Sequence, residues 1–156
     1  MIRLLIADDE RLEQDALVGM VNHRFEHEVV LETAENGRKA ADTAILWGAD
    51  LILMDIEMPG MSGLDAARAV LAQRPGCRVI FVTAYSLFQY AHEAVHLGAC
   101  DYLLKPVRAE RLVAAVERVR EALAARTGMA ALAETLGKLT AAPAAPPRIT
   151  ATSRAW

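Results

Sequence analysis

The sequence predicts an α/β chain in which a five-stranded parallel sheet is doubly wound, with helices on both faces. Two observations carry this. Short apolar runs recur, at Ile2–Ala7, Leu51–Met54 and Arg78–Thr83 among others, each stopped by charged or turn residues, as strands buried on both faces are. Between the runs lie stretches whose apolar residues return at helical spacing, and the links are short, so strands and helices alternate as parallel β-α-β units.

The first strand, Ile2 to Ala7, is apolar but for Arg3 and ends in Asp8, Asp9 and Glu10. Leu12, Ala16, Leu17, Met20, Val21 and Phe25 then recur at helical spacing with charges between them. Glu28 to Ala34 is the second strand. Asn36-Gly37 turns the chain into a second helix, which carries Ala40, Ala41, Ala44, Ile45 and Trp47 and stops at Gly48. Leu51 to Met54, the third strand, delivers Asp55 to its carboxyl end, and Pro59, Gly60 and Gly63 break the loop that follows. Ser62 caps a third helix, with Asp65 completing a capping-box-like pattern. That helix runs to about Gln73 and is ended by Pro75-Gly76; Arg78 to Thr83 is a fourth strand rich in β-branched residues. A fourth helix spans Leu87 to Leu97 and ends at Gly98, the usual left-handed stop. Asp101 to Leu104 is the fifth strand, closed by Lys105-Pro106, since proline cannot continue a central ladder. Of the common doubly wound orders, this strand count fits the flavodoxin-like 2-1-3-4-5 arrangement.

A fifth helix starts near Ala109 and carries Leu112, Val116, Val119 and Leu123; after Gly128 the pattern resumes as Met129, Leu132, Leu136 and Leu139. Such a stripe suits a helical extension or pairing with a second copy. The expected organisation is a folded domain over 1–123, a helical extension or linker over 124–140, and an Ala/Pro-rich disordered tail over 141–156.

At 156 residues the chain suits one domain with one core, and a net charge of −3 supplies no field for nucleic acid, which argues against DNA binding by this segment alone. Cys77 and Cys100 are too few for a disulfide framework and read as small buried hydrophobes. The N-terminus turns acidic where a signal peptide would stay apolar, and no run approaches the ~20 apolar residues that span a bilayer. A cytoplasmic setting without membrane partners is expected.

In a parallel sheet all strands point the same way, so the strand ends bring Asp8, Asp9, Asp55, Thr83 and Lys105 to one edge, the edge where open α/β sheets bind ligands. Clustered carboxylates repel unless a cation joins them, and hard oxygen ligands with room for water suit Mg²⁺. A carboxylate needs no general base to attack phosphorus, so Asp55 can form an aspartyl phosphate. Lys105 and Mg²⁺ would supply positive charge to the phosphoryl oxygens and Thr83 a neutral donor.

ADDE at Ala7–Glu10, LILMDIEMPGMSGLD at Leu51–Asp65, TAYS at Thr83–Ser86 and DYLLKP at Asp101–Pro106 occur in that order, and together they resemble the receiver domain of bacterial two-component response regulators. The resemblance covers Met1 to Leu123. It implies that Asp55 accepts a phosphoryl group from the phosphohistidine of a sensor histidine kinase. It implies Mg²⁺ held by Asp9, Asp55 and the backbone carbonyl of Glu57, with Asp8 acting through water, and phosphoryl oxygens bound by Lys105, Thr83 and the N–H groups of Ile56 and Ala84. It implies a cis Lys105-Pro106 bond, and a switch in which Thr83 moves toward the phosphoryl group and Tyr102 turns inward, altering the surface of the fourth helix, fifth strand and fifth helix. A homodimer through that surface is one expected readout. The family also places Glu57 and Tyr85 beside the path of the hydrolytic water.

SLFQYAHEAVHLGACDYLLKPV is similar, more narrowly, to receivers attached to AraC-type outputs, which implies transcription control and DNA contact only through an output domain outside this chain. The expectation is a phosphoacceptor with slow self-dephosphorylation and no turnover activity. A stand-alone adaptor or phosphate sink is the alternative. A Mg²⁺-dependent phosphatase is more remote: it needs a second aspartate as general acid two residues after the nucleophile, where this chain has Glu57. His92-Glu93-Ala94-Val95-His96 matches the H-E-x-x-H zinc pattern, with Glu117 a conceivable third ligand; the receiver resemblance favours a solvated helix face.

Overall fold

A computed structural model describes residues 1–140; the expected tail over 141–156 lies outside the described residues. Strand β1 (Ile2–Ala7), helix α1 (Arg11–Phe25), β2 (Val29–Ala34), α2 (Gly37–Thr43), β3 (Leu51–Met54), α3 (Gly63–Gln73), β4 (Arg78–Thr83), α4 (Phe88–Leu97), β5 (Asp101–Leu104) and α5 (Ala109–Thr140) follow one another. The five strands form one parallel sheet in the order β2-β1-β3-β4-β5, the flavodoxin-like arrangement.

The two central strands explain the apolar runs: Leu4–Ala7 of β1 and all of β3 are buried on both faces. Leu5, Ala7, Ile52, Met54, Val79 and Phe81 share a core with Ala40 and Ala41 of α2, Leu64, Ala66 and Val70 of α3, and Ala94 of α4. Their alternates, among them Leu4, Ile6, Leu53 and Ile80, point to the other face, as the period of two in a strand requires. That face belongs to α1 and α5, which an Arg24–Glu117 ion pair at 3.5 Å also joins.

Capping follows the sequence. The Asn36 side chain accepts from Lys39 N at 2.8 Å to start α2, and Ser62 Oγ from Asp65 N at 3.2 Å to start α3. The reciprocal half of the capping box is not used, because Asp65 instead holds Arg68 at 2.6 Å. Gly98 closes α4 with a φ of 79°, the left-handed stop. The end of the second helix departs from the α form: Ala44–Gly48 is a π turn in which Ala49 N donates to Ala44 O at 3.0 Å. Arg3 Nη1 takes the carbonyl of Trp47 at 2.6 Å, supplying a donor to a carbonyl that the helix end leaves free.

Helix α5 is continuous through Gly128, so the two apolar stripes belong to one helix of 32 residues. A helical glycine costs only ~1 kcal/mol against alanine, too little to stop a segment otherwise made of good helix formers. The compact unit spans Met1–Ala122 and a second begins at Leu123. Leu112, Val116 and Val119 of the first stripe are buried, whereas Met129, Leu132, Leu136 and Leu139 are exposed. Cys77 is buried, but Cys100 is exposed, contrary to expectation, because it falls in the link from α4 to β5 rather than within an element.

Candidate functional site

The ladder ends aim the site. Asp8 N donates to Ala34 O at 3.0 Å, Asp55 N to Ala7 O at 2.9 Å and Lys105 N to Thr83 O at 2.9 Å, so the residue just past each of β1, β3 and β5 is tied to the last carbonyl of a neighbouring strand. Lys105 then reaches back along the sheet edge: Nζ lies 2.7 Å from Asp8 Oδ2 and 3.1 Å from Asp55 Oδ2, and it also donates to Glu13 Oε2. The Asp8 and Asp55 side chains are almost fully buried and that of Lys105 nearly so. Asp9 is exposed, yet it offers an oxygen in a group in which one oxygen from each of Asp8, Asp9 and Asp55 lies within 4.8 Å of the others.

Charge is held here against the cost of burial. Burial pushes the Asp55 carboxyl up to about 6, Lys105 draws it down, and the charges of Asp8 and Asp9 push it up again. Asp8 is likewise raised, by burial first, although Lys105 and the N–H of Glu10 act to lower it. Burial works to lower Lys105, but its hydrogen bonds to Asp8 and Glu13 and the nearby charges of Asp55 and Asp8 outweigh that and raise it. One ammonium does not satisfy this many carboxylates. The donor set, hard oxygens with one member open to solvent, fits a small divalent cation such as Mg²⁺.

The walls are fixed by close approach. A Cβ on Gly63 would lie 1.9 Å from the carbonyl oxygen of Asp55, so only glycine allows α3 to start against the strand end. Gly60, at a φ of 76°, makes the turn of the loop, and Gly63 N donates to Ile56 O at 2.8 Å. Thr83, fully buried at the end of β4, accepts from Tyr85 N at 3.4 Å. Tyr102, half-buried on β5, donates its hydroxyl to the Tyr85 carbonyl at 2.6 Å. The Lys105-Pro106 bond is cis.

Three residues of the site have no mark in the sequence reading. Glu13 is the third carboxylate on Lys105, and its signal is its place in the acidic first turn of α1. Gln14 is buried and its Nε2 donates to Asp8 O at 3.2 Å and Ala34 O at 3.1 Å, bracing the β1 end; Leu12, two residues earlier, is the exposed one. Tyr90 of α4 donates its hydroxyl to Glu57 Oε1. The zinc pattern does not assemble: His92 and His96 touch through their Nε2 atoms at 3.0 Å, but Glu117 faces Arg24 and Arg120, and the carboxylates at the strand ends are the only candidate metal group among the described residues.

An open, doubly wound parallel sheet with its acidic site at the carboxyl ends of the central strands places the chain in the flavodoxin-like α/β class. Within that class it belongs to the response regulator receiver domain family, whose model matches residues 4–117, and so to two-component signalling. Over 76% of its length the chain is 30% identical to YesN, an uncharacterised transcriptional regulatory protein of Bacillus subtilis, and it covers 32% of that protein. It is 34% identical to the chemotaxis protein CheY of Listeria monocytogenes, covering 76% of this chain and 98% of that one. Among solved structures, the REC domain of AraT, a response regulator from Geobacillus stearothermophilus, is 35% identical with a TM-score of 0.73, over 81% of this chain and 98% of that one. The chain spans 32% to 54% of the length of several regulatory proteins that it matches. Among the described residues no helix is long and apolar enough to cross a membrane.

Proposed function

We propose that Asp55 is the phosphoacceptor of this receiver and that a sensor histidine kinase is its donor. The observation that carries the reading is the buried Asp55 carboxylate 3.1 Å from Lys105 Nζ, inside the group formed with Asp8 and Asp9. In the reaction a carboxylate oxygen of Asp55 forms a bond to phosphorus as the bond from phosphorus to the donor's imidazole nitrogen breaks. The imidazole leaves with the electron pair. Lys105 sits where the added negative charge arrives and holds the carboxylate in place by its hydrogen bond. Thr83, at the end of the adjacent strand, offers a hydroxyl to a phosphoryl oxygen. Asp8, Asp9, Asp55 and the Glu57 carbonyl would hold Mg²⁺, which when bound supplies positive charge to those oxygens.

The chain acts as a switch and not as a turnover enzyme. Phosphorylation biases Thr83 and Tyr102 between two packings and so alters the α4-β5-α5 surface. Tyr102, held to the Tyr85 carbonyl in the β4–α4 loop, couples the two strands that such a change must move. Its relatives named as transcriptional regulators support control of transcription through an output domain, here of AraC type, with dimerisation through α4-β5-α5. The CheY relative, matched over 98% of its own length, supports a stand-alone adaptor or phosphate sink as the second reading. A cytoplasmic site of action follows from the kinase partner.

Incubation with a small acyl phosphate and Mg²⁺ is expected to add one phosphoryl group by intact mass, and Asp55→Ala to abolish the addition. Retention of the mass shift in Asp55→Ala removes the assignment.

A further inference from the structure

Glu57 lies two residues beyond Asp55, on the loop that leaves the phosphoacceptor strand, between the buried side chains of Ile56 and Met58. Its carboxylate is exposed, and among the described residues its hydrogen-bond partner is the hydroxyl of Tyr90, which comes from the first turn of α4. The Tyr90 ring is half-buried against the core shared by α3 and α4, so the phenol is fixed at its base. The Tyr85 ring meets it edge-on, with centroids 6.4 Å apart, and the carbonyl of Tyr85 is held by the Tyr102 hydroxyl. A chain of contacts thus runs from β5 through the β4–α4 loop and α4 to the loop behind Asp55.

We propose that Tyr90 is a positioning residue: by holding the Glu57 carboxylate it closes the mouth of the phosphoacceptor site and prolongs the life of the phosphoryl group on Asp55, an inference that rests on Asp55 being the acceptor. An aspartyl phosphate is lost when a water oxygen forms a bond to phosphorus, the bond from phosphorus to the Asp55 oxygen breaks, and the water proton passes to an acceptor or to solvent. The products are inorganic phosphate and the Asp55 carboxylate. A free carboxylate beside the site is the natural acceptor of that proton. With Oε1 accepting from the Tyr90 hydroxyl, that oxygen is engaged and not free to take it.

Glu57 and Tyr90 both sit on the surface side of the fold, so Tyr90→Phe, which keeps the ring, and Glu57→Ala, which removes an exposed group, are expected to fold. The decay of the phosphoryl group is followed by intact mass after removal of the phosphodonor. Tyr90→Phe is expected to lose the group roughly threefold to tenfold faster than the parent, the range set by removing one exposed charge-assisted hydrogen bond. In a Glu57→Ala background Tyr90→Phe is expected to change nothing. An unchanged decay in Tyr90→Phe, or the same acceleration with and without Glu57, overturns the proposal. A parent protein that never takes up the phosphoryl group overturns the Asp55 reading instead and with it the lifetime claim, so the two failures are distinct.

Discussion

Lys105 is reached by more carboxylate charge than it can neutralise, from Asp8, Glu13 and Asp55 together. The imbalance falls on Asp55, whose carboxyl is pushed up to about 6, chiefly by burial. In the metal-free protein the folded state therefore binds the Asp55 proton more tightly than the unfolded chain, where the ordinary value of 3.8 applies. The cost to stability is fully present above pH 6 and fades as the pH falls toward 4. Asp55→Asn, which removes the charge and keeps the shape, is expected to be more stable than the parent at pH 7 by about 1–3 kcal/mol and nearly equal to it at pH 4. Urea midpoints at both pH values without divalent ions check this; a gap that does not close at low pH contradicts burial as the cause. Asp8, Asp9, Asp55, Thr83 and Lys105 were readable because each sits at the end of an apolar run, a linear pattern. Glu13 and Tyr90 were not, because their contacts depend on where the first turns of α1 and α4 land against the sheet edge, which no spacing in the chain records.

The elements that position these residues were legible in proportion to how strongly one force decided them. Strands β1, β3 and β4 followed from burial, since β3 has no polar residue and β1 and β4 carry only Arg3, Arg78 and Thr83, at or near their ends, too few to mark a solvent face. The starts of α2 and α3 followed from Asn36 and Ser62, whose side chains satisfy N–H groups that the helix leaves open. The π turn at Ala44–Gly48 did not, because one extra residue in a turn leaves the apolar spacing of Ala40, Ala41, Ala44 and Ile45 unchanged. The loop glycines read only as turn formers, yet Gly63 has a second role in contact with Asp55. A Cβ there meets the Asp55 carbonyl oxygen at 1.9 Å and Ile56 Cα at 2.9 Å, and backbone on both sides leaves no flexible atom to yield. Gly63→Ala is expected to cost about 3 kcal/mol or more in urea unfolding and to lower the rate of phosphoryl uptake, because the strain falls on the backbone of Asp55, the proposed acceptor. A loss under ~1 kcal/mol would show that α3 can shift freely against β3.

At the scale of the whole chain, helix α5 begins in the compact unit that ends at Ala122 and continues into the second, which begins at Leu123. The buried residues of α5 are Leu112, Ala115, Val116 and Val119, and none lies beyond Val119. The sequence separates the two apolar stripes at Gly128, and the structure joins them, for a reason of scale: nucleating a helix is costly, whereas extending one already fixed by packing adds a hydrogen bond per residue. Residues 123–140 are therefore helical because they continue α5, and their own side chains need bury nothing to stay so. Two consequences can be measured. A chain ending at Ala122 is expected to keep the urea midpoint of the full chain to within ~0.5 kcal/mol and to take up one phosphoryl group as before. The 18-residue peptide of 123–140, freed from its nucleus, is expected to show far less helical circular dichroism per residue than the difference between chains ending at Thr140 and Ala122, since isolated helices near this length are marginal in water. Equal helicity in the free peptide would mean that local propensity sustains the extension. A helical signal that grows with concentration in the chain ending at Thr140 would mean instead that Met129, Leu132, Leu136 and Leu139 pair with a second copy.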